Sequence, residues 1–462
     1  MKIIVLAAGK STRFKSKKHK ALHQIFGKSI LERVLETLWE LNPKQIQFVL
    51  GHQLEEVASN LKNGETYVHQ LEQLGTGHAL KYGLSNLEDD NDGLLVTCVD
   101  TPLLKKNTLN GLINVTKSQE AQVGILSAKL ENPFGYGRIV KKENYITKIV
   151  EEKDATEEEK RIDEINSGVY YFNMPYSKLL EGISSIKNSN KQQEYYLTDI
   201  IEWANSEKLK SVSYVTDDPS ETFGINSKAD FANAINILNQ RKIKDLQNNG
   251  VIFINPSSCF VSPETFIGAD TVVYPNTYFN KKVNVGENCQ IGPNSFIEDS
   301  TIEGNSVVRF SQVVETNIGK DCSVGPFANL RPGTKMLDYS SVGDFVEVKN
   351  SEIGSRTRVP HLSYIGDSCL GNDVNIGAGT ITANYNAITD KKSRTKLGDN
   401  VKVGSNSVLV SPVEVSDGCM IGAGSIVTES VNCKDSLVIS RNKQEVKENW
   451  VKDKKSQLES EV

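Results

Sequence analysis

Residues 261–297 read VSPETFIGADTVVYPNTYFNKKVNVGENCQIGPNSFI, and an apolar side chain stands at every sixth position of this stretch. These positions, called rungs below, are Val261, Ile267, Val273, Phe279, Val285, Ile291 and Ile297. A helix repeats its apolar face about every 3.6 residues and a lone strand about every 2, so neither explains the period. Short strands with a sharp corner every six residues do, because they stack coil on coil into a hexapeptide β-helix.

The same period returns in two later runs of the chain. Their rungs are Ile318, Val324, Leu330, Met336, Val342 and Val348, and then Leu397, Val403, Leu409, Val415, Ile421 and Val427. Asn, Asp and Gly between the rungs tolerate the left-handed backbone that the corners need. We therefore predict a β-helix domain over residues 251–462, ending in a polar C-terminal tail. Residues 382–392 interrupt the period, and such insertions form loops on one face, often the binding face.

Residues 1–228 lack the six-residue period. Short apolar runs at residues 3–8, 47–50, 94–99 and 123–128 alternate there with helical patterns such as residues 30–41. This alternation predicts βαβ units, and hence an α/β domain around a largely parallel sheet. Residues 229–250 read as a helical linker between the two domains, with apolar positions on one face and Gly250 as a stop signal.

Composition narrows the class of function. The chain has 53 basic and 58 acidic residues, a formal net charge of −5. A binder of nucleic acid or of a membrane surface would be expected to carry a basic excess. No stretch approaches the roughly 20 apolar residues of a membrane span, and residues 3–8 are too short for a signal peptide. We therefore expect a cytoplasmic protein without nucleic acid or membrane as partner.

The seven cysteines show no CxxC spacing, which disfavours a zinc site or a disulfide framework. Four of them follow a rung by four residues, where other repeats place Ser, Thr or Ala. These are Cys289, Cys322, Cys369 and Cys419. We predict that they are small, buried residues of the β-helix wall.

A glycine-containing loop follows the first apolar run directly, since residues 6–14 read LAAGKSTRF. Small residues let the backbone approach a ligand, and loop N–H groups can hold phosphate oxygens. Arg13 and Lys20 add positive charge that would stabilise a polyphosphate as it is split. The loop is neither GxGxxG nor a Walker sequence. From its spacing alone, a phosphate-binding loop and an ordinary βα turn are equally good interpretations of this segment.

A second small-residue loop, residues 70–79, reads QLEQLGTGHA and enters a predicted helix. Asp100 ends the apolar run 94–99, at the carboxyl edge where open α/β sheets bind ligands. A carboxylate beside phosphates suits Mg²⁺, which needs only one or two protein oxygens. The alternative for Asp100 is a helix or turn cap before Pro102.

Four further motifs define a resemblance, namely QLGTGHA at residues 73–79, GYGRI at 135–139, NSG at 166–168 and EYYLTD at 194–199. With them the chain resembles the sugar-nucleotide pyrophosphorylases. Over nearly its whole length it is similar to the bacterial bifunctional glucosamine-1-phosphate N-acetyltransferase / N-acetylglucosamine-1-phosphate uridylyltransferase family, which supplies cell-wall precursors. The resemblance implies a Rossmann-like mixed sheet in the nucleotidyltransferase domain, joined by a long helix to a left-handed parallel β-helix.

The resemblance also implies site residues in the first domain. Contacts to uracil and ribose would fall on Leu6, Ala7, Ala8, Gly9, Gln70, Gly75 and Thr76. Phosphates would be held by Arg13 and Lys20, the amino sugar by Gly137, Glu151 and Asn166, and Mg²⁺ by Asp100 and Asn226, which would also contact the substrate. The implied reaction is attack of a sugar 1-phosphate on the α-phosphorus of UTP, which releases pyrophosphate.

In the β-helix the sequence itself singles out His361, the only one of the six histidines there. An imidazole that can take a proton near neutral pH suits a general base, although a surface or structural histidine is the alternative. Arg331, Lys349 and Tyr364 belong to the same coils and offer charge and hydrogen bonds for a sugar phosphate.

For this half the resemblance implies an acetyl-CoA-dependent acyltransferase with active sites between the subunits of a homotrimer. His361 would be the base, with Glu347 and Asn384 near it. The amino sugar phosphate would contact Arg331, Lys349, Tyr364 and Asn375. The acetyl-CoA site would be lined by Ala378, Asn384, Tyr385, Ser405, Ala423 and Arg441.

The chain departs from the family pattern at several positions. The family usually has Gly at Ser11, Met at Phe14, Pro at His19 and Gly at Val99, and Asp-Gly where this chain has Asn386-Ala387. Two other readings stay open at this point. One is a single-function nucleotidyltransferase with a regulatory β-helix, and the other is a non-enzymatic scaffold such as an exchange subunit of a translation factor.

Overall fold

A computed structural model describes residues 1–89 and 91–460. The chain divides into two compact units, Met1–Gln240 and Arg241–Val462. The predicted linker is a helix over Lys228–Asn248, so its bounds lie within two residues of the predicted ones. None of the helices in the described ranges combines the length and the apolar character that a bilayer crossing requires.

The first unit is built on a mixed sheet, as the resemblance implied. Its strands and a small hairpin are β1 (Lys2–Ala7), β2 (Gln24–Ile25), β3 (Lys28–Ser29), β4 (Gln45–Leu50), β5 (Thr66–His69), β6 (Leu94–Cys98), β7 (Val123–Lys129), β8 (Arg138–Lys142), β9 (Tyr145–Val150), β10 (Glu164–Phe172) and β11 (Ser211–Val215). The strand order is β11-β7-β10-β6-β1-β4-β5, with β8 attached to β10 and β9 attached to β8. Strand β10 runs antiparallel to β6 and β7, which makes the sheet mixed, while β1 pairs in parallel with β4 and β6.

Helices cover both faces of this sheet. They are α1 (Ile30–Trp39), α2 (Leu54–Ala58), α3 (Thr76–Ser85), α4 (Lys106–Ser118), α5 (Tyr176–Ser185) and α6 (Ile200–Ser206). The linker helix is α7 (Lys228–Asn248), and α8 (Trp450–Ser460) belongs to the C-terminal tail of the second unit. Strand β1 is buried along its whole length. Its side chains alternate between two apolar cores, since Ile4 packs in one and Ile3 and Val5 in the other. This double burial explains why the strand reads as a continuous apolar run.

The second unit consists of three parallel sheets whose short strands follow one another in rotation, as in a hexapeptide β-helix. The first sheet holds Ile252–Phe253, Val272–Val273, Gln290–Ile291, Val307–Val308, Ser323–Val324, Ser341–Asp344, Arg358–His361, Asn375–Ile376, Lys402–Val403, Met420–Ile421 and Leu437–Val438. The second holds Phe260–Val261, Tyr278–Asn280, Phe296–Glu298, Gln312–Val314, Asn329–Leu330, Glu347–Lys349, Tyr364–Gly366, Ile381–Ala383, Val408–Val410 and Ile426–Val427. The third holds Phe266–Ile267, Asn284–Val285, Thr301–Ile302, Asn317–Ile318, Lys335–Met336, Glu352–Ile353, Ser368–Leu370, Thr395–Leu397 and Val413–Val415.

Every predicted rung is buried in one continuous core, which confirms the reading of the period. The stretch between the first two runs continues the same core with Ile302, Val308 and Val313, although three of the four steps from Ile297 to Ile318 are one residue short. Corner residues such as Asp270 and Asn288 have positive φ angles, as the left-handed corners require.

Three of the four cysteines predicted to line the wall, Cys289, Cys322 and Cys419, are buried. The prediction for Cys369 is wrong, because this residue is partly exposed. The buried residues of its strand are its two neighbours, Ser368 and Leu370, and Leu370 follows Ile365 after a short five-residue step. The short step turns Cys369 outward.

Candidate active sites

A cavity of about 540 Å³ opens at the carboxyl ends of β1 and β6. It is lined by Leu6, Ala7, Ala8, Gly9, Lys10, Ser11, Thr12, Arg13, His19, Lys20, Gln70, Gln73, Gly75, Thr76, Ala79, Cys98, Val99, Asp100, Glu194 and Asn226. The residues predicted to contact uracil, ribose, phosphates and Mg²⁺ are all among them. Parallel strands that end side by side bring these distant segments together.

The glycine-containing loop leaves β1 and forms a single helical turn at Thr12–Phe14. Ser11 precedes this turn with a φ of 52°, a left-handed conformation that glycine adopts at lower cost. Arg13 is exposed and faces the cavity, whereas Phe14 is buried and packs against Phe231. The buried Phe14 therefore anchors the loop that carries Arg13.

The EYYLTD segment, residues 194–199, contacts the second loop and forms hydrogen bonds with it. Gly75 has a φ of 115°, and a Cβ there would lie 2.6 Å from the Tyr195 carbonyl oxygen. The backbone N–H of Leu197 donates to Thr76 Oγ1 at 3.0 Å, and the N–H of Gly77 donates to the Tyr195 carbonyl at 2.8 Å. Glycine at position 75 is thus required by both its backbone angle and the close approach of Tyr195.

Lys20 joins the two residues predicted to hold Mg²⁺. Its ammonium lies 2.6 Å from Asp100 Oδ2 and 3.4 Å from Asn226 Oδ1. The backbone holds these segments together, since Ile225 N–H donates to the Asp100 carbonyl at 2.8 Å. Two hard oxygen donors therefore converge on one cationic centre inside the cavity. This donor set fits Mg²⁺, which binds through one or two carboxyl or carbonyl oxygens and substrate phosphates.

The three residues predicted to hold the amino sugar do not line the cavity, but they lie close to one another. Asn166 N–H donates to the Gly137 carbonyl at 2.9 Å, and a Cβ on Gly137 would lie 3.5 Å from Glu151 Oε1. Thr198 Oγ1 donates to the same Glu151 oxygen at 3.3 Å. Burial raises the pKa of the Glu151 carboxyl.

In the β-helix three of the predicted substrate residues, Arg331, Lys349 and Tyr364, lie in or directly after neighbouring strands of the second sheet. Arg331 Nη1 donates to Glu347 Oε1 at 2.7 Å. Glu347 is the backbone partner of Tyr364, and Lys349 is that of Gly366. A Cβ on Gly366 would collide with the Tyr364 hydroxyl and would lie 2.7 Å from Asn384 Nδ2. The lack of a side chain at Gly366 therefore leaves room for both polar groups beside its backbone.

His361 ends the strand Arg358–His361 and lies just before the strand of Tyr364. Its ring is exposed and makes no hydrogen bond to any described residue. The Ser363 hydroxyl donates to the His361 carbonyl at 2.8 Å, which fixes the corner. An exposed, unengaged imidazole next to the Tyr364 strand is free to reach a ligand.

The residues predicted for acetyl-CoA lie in successive coils. The Ala378 carbonyl accepts from Asn406 N–H, the Ser405 carbonyl from Gly424 N–H, and the Ala423 carbonyl from Arg441 Nη1 at 2.9 Å. Ala378, Ser405 and Ala423 therefore stand one above another along a single corner. Asn375 belongs to the first sheet, where it pairs with Arg358, and no hydrogen bond joins its side chain to the other predicted sugar residues.

The inserted segment forms an antiparallel hairpin in which Tyr385–Asn386 pairs with Lys391–Lys392. The hairpin brings Lys392 to Lys349, where it is the largest cause that lowers the pKa of the Lys349 ammonium. Arg331 adds to the same effect. Three cationic side chains thus gather beside the Glu347–Tyr364 strands, an arrangement suited to a phosphate group.

Comparison with known proteins matches both units. Residues 3–146 match the MobA-like NTP transferase domain, and residues 264–299 and 394–429 match the bacterial transferase hexapeptide family of six repeats. The bifunctional protein GlmU of Carboxydothermus hydrogenoformans is 43% identical over 98% of this chain and 100% of its own length. The chain belongs to the bifunctional GlmU family. The GlmU protein of Heliobacterium modesticaldum is 42% identical over 97% of each chain.

Membership of the GlmU family decides between the readings that the sequence left open. The chain is a bifunctional transferase with a uridylyltransferase and an acetyltransferase activity. The single-function reading and the non-enzymatic scaffold both fail, because the matches cover both units and nearly the full length of the relatives.

Two site residues of this GlmU chain escaped the sequence reading. Lys392 reaches Lys349 only through the hairpin, whose fold the repeat pattern does not predict. His19 lines the first cavity and is only 1% exposed. Its Nδ1 accepts from Ala21 N–H at 3.2 Å, whereas its buried Nε2 has no partner among the described residues. Burial, followed by the charge of Lys20, lowers the pKa of His19 to about 4.

Proposed function

We propose that this chain acetylates glucosamine 1-phosphate with acetyl-CoA and then transfers UMP from UTP to the N-acetylglucosamine 1-phosphate so formed. The observation that carries the proposal is the cluster around Gly366. It combines a hydroxyl from Tyr364, an amide from Asn384 and, in the adjoining strands, the Arg331–Glu347 pair. The exposed His361 precedes Tyr364 by three residues in the chain. A β-helix with only a regulatory role would not need polar groups that converge in this way.

In the acetyl transfer the C2 amine nitrogen attacks the thioester carbonyl carbon. His361 takes the proton that the nitrogen loses, the C–S bond breaks, and the proton passes to the CoA sulfur. Arg331 and Lys349, with Lys392, hold the sugar phosphate, while Glu347 and Asn384 accept hydrogen bonds from the amine. No covalent acyl-enzyme is needed, because the amine reaches the acetyl group directly.

In the uridylyl transfer the residues of the first cavity position charge without forming a covalent bond. A phosphate oxygen of the sugar attacks the α-phosphorus of UTP, and the bond to pyrophosphate breaks. Arg13 and Lys20 hold the phosphates and stabilise the negative charge that builds up. Asp100 and Asn226 would hold Mg²⁺, which when bound neutralises phosphate charge. The Gly75–Thr76 loop, clasped by Tyr195, holds the nucleoside.

We also propose that the β-helix assembles as a homotrimer with the acetyl site beside a subunit interface. Phe310, Phe327 and Phe345 have positive φ angles and stack as a ridge along one corner of the β-helix. Their ring centres lie 5.7 Å apart for Phe310 and Phe327 and 5.3 Å apart for Phe327 and Phe345. The ridge continues to Leu362, which is 62% exposed and adjoins His361. An exposed apolar surface of this kind is typical of a protein–protein contact. The number three follows from the family resemblance.

The test of the acetyl site is release of free CoA thiol from acetyl-CoA and glucosamine 1-phosphate, wild type beside His361→Ala. We expect release by the wild type and loss of at least about a hundredfold in the variant, in line with loss of a general base. The uridylyltransferase rate of the same preparation serves as the internal control. A folded wild type that releases no thiol would refute the proposal, and an active His361→Ala would refute the assignment of the base.

A further inference from the structure

Asp367 is a buried carboxylate that the proposed mechanism does not use. It follows Gly366 directly, is 7% exposed and has a φ of 48°. Its Oδ1 accepts from Asn350 Nδ2 at 2.6 Å, and its Oδ2 accepts from Asn384 Nδ2. Its backbone N–H donates to the Lys349 carbonyl at 3.0 Å. Asp367 therefore links three successive coils at the centre of the proposed acetyl site.

The contact with Asp367 decides which way the Asn384 amide points. An ionised carboxylate can only accept hydrogen bonds, so the atom that faces it must be the amide nitrogen. The opposite atom, Asn384 Oδ1, accepts from no described residue. Asn384 therefore presents an acceptor, and a substrate N–H is the group that such an oxygen can hold.

We propose that Asp367 is a positioning residue for acetyl transfer, which acts by orienting the Asn384 amide so that Oδ1 receives an N–H of the attacking amine. This inference rests on the proposed acetyltransferase site. Asp367 does not touch the substrate. Its carboxylate removes the alternative amide orientation, in which an N–H donor would face the amine and could not accept the amine N–H.

The charge of Asp367 does not favour phosphate binding, so Asp367 is not expected to act through the sugar phosphate. Asp367 raises the pKa of Lys349, but it is the weakest of the causes acting on that group. Removing the carboxylate would leave Arg331, Lys349 and Lys392 with more net positive charge toward an anion. Loss of Asp367 should therefore reduce kcat without raising the KM for glucosamine 1-phosphate.

The first test compares Asp367→Gly with Asp367→Asn in steady-state acetyl transfer. Glycine adopts the positive φ without strain and removes both acceptor oxygens, whereas asparagine keeps one. We expect kcat to fall at least about tenfold for Asp367→Gly and to stay within about threefold for Asp367→Asn. Asp373→Gly is the matched control, because Asp373 also has a positive φ, of 57°, and its carboxylate pairs with Arg356 on the exposed surface.

A double-mutant cycle separates positioning from general destabilisation. If Asp367 acts through Asn384, adding Asp367→Gly to Asn384→Ala should lower kcat by no more than about twofold further. If the double variant instead loses kcat by the product of the two single losses, the proposal is overturned. An unchanged kcat in Asp367→Gly would overturn it as well. A wild type without acetyl transfer would instead refute the proposed function, and that outcome is visible before any variant is made.

An exchange of the two side chains tests the same contact without glycine. Asn384→Asp alone sets two carboxylates face to face, and we expect kcat to fall at least about tenfold. Combining it with Asp367→Asn restores one donor and one acceptor with reversed polarity and should recover at least about threefold of that loss. Failure of the combined variant to recover any kcat, with its uridylyltransferase rate intact, would overturn the proposal.

Discussion

The Lys20 ammonium lies 2.6 Å from the Asp100 carboxylate, and both side chains are mostly shielded from solvent, at 12% and 19% exposure. The pair sets a cation and its counter-charge at the point where the proposed phosphates and Mg²⁺ would meet. The Ile225 carbonyl also accepts from Lys20, at 3.1 Å, which holds the ammonium in place. The uridylyl site is therefore arranged before substrate binds, which lowers the cost of reorganising charge during the reaction.

The first prediction concerns Asp100. Asp100→Asn keeps the shape of the side chain but removes half of the oxygen donors and the charge, so Mg²⁺-dependent pyrophosphate release should fall at least about a hundredfold. Acetyl transfer by the same preparation should stay unchanged, because its residues belong to the other unit. Asp92→Asn, which removes an exposed carboxylate paired with Lys44, is the matched control. Full Mg²⁺-dependent turnover by Asp100→Asn would refute the metal assignment.

The second prediction concerns Gly366. Gly366→Ala places a methyl group 2.7 Å from Asn384 Nδ2 and against the Tyr364 hydroxyl, so both polar groups must move apart. We expect acetyl transfer to fall at least about tenfold while uridylyl transfer persists. The control is Gly304→Ala elsewhere in the β-helix, where the nearest atom would lie 3.3 Å away. Equal losses in the two variants would mean that the effect is general to the β-helix.

The repeat made most of the second unit predictable. Val285 and Ile421 could be identified as core residues because a buried rung recurs at a fixed interval, and this interval can be seen directly in the sequence. Ile302 and Val313 were not predicted as core residues, because a corner shortened by one residue breaks the six-residue spacing without changing the fold. The same shortening turned Cys369 outward.

Contacts between coils were less accessible to sequence reasoning. Asp367 and Asn384 stand one coil apart, and their hydrogen bond depends on the lengths of every corner between them. The hairpin that brings Lys392 to Lys349 has no repeat to reveal it. In the first unit the pairing of Gly137 with Asn166 likewise depends on β8 joining β10, a non-local antiparallel contact.

The third prediction concerns the pH dependence of folding. Burial lowers the pKa of His19 to about 4 from 6.5, so between these values the unfolded chain binds a proton that the folded chain does not. This difference lowers the free energy of unfolding as pH falls from 6.5 to 4, by at most about 3 kcal/mol, and has no effect above that window. His19→Asn keeps an acceptor for Ala21 N–H but cannot take up a proton.

Urea unfolding at pH 7.5 and at pH 4.5 checks this third prediction. The wild type should lose more stability than His19→Asn between the two pH values, because only the wild type carries the buried imidazole. His69→Asn, a change at an exposed histidine of the same unit, should behave as the wild type does. An equal loss of stability in the wild type and His19→Asn would refute the assignment.

The fourth prediction concerns the ridge of Phe310, Phe327 and Phe345. Phe327 is 54% exposed with a φ of 58°, so Phe327→Asn breaks the ridge with a residue that tolerates this backbone conformation. If the ridge is a subunit contact, the variant should dissociate at protein concentrations where the wild type stays assembled, and acetyl transfer should fall with assembly. Sedimentation velocity combined with the CoA thiol assay measures both. Phe266→Asn, at an exposed phenylalanine outside the ridge, is the control. A Phe327→Asn protein that stays assembled and active would exclude the ridge from the interface, because removing an aromatic ring from the centre of a contact is among the most costly changes an interface can suffer.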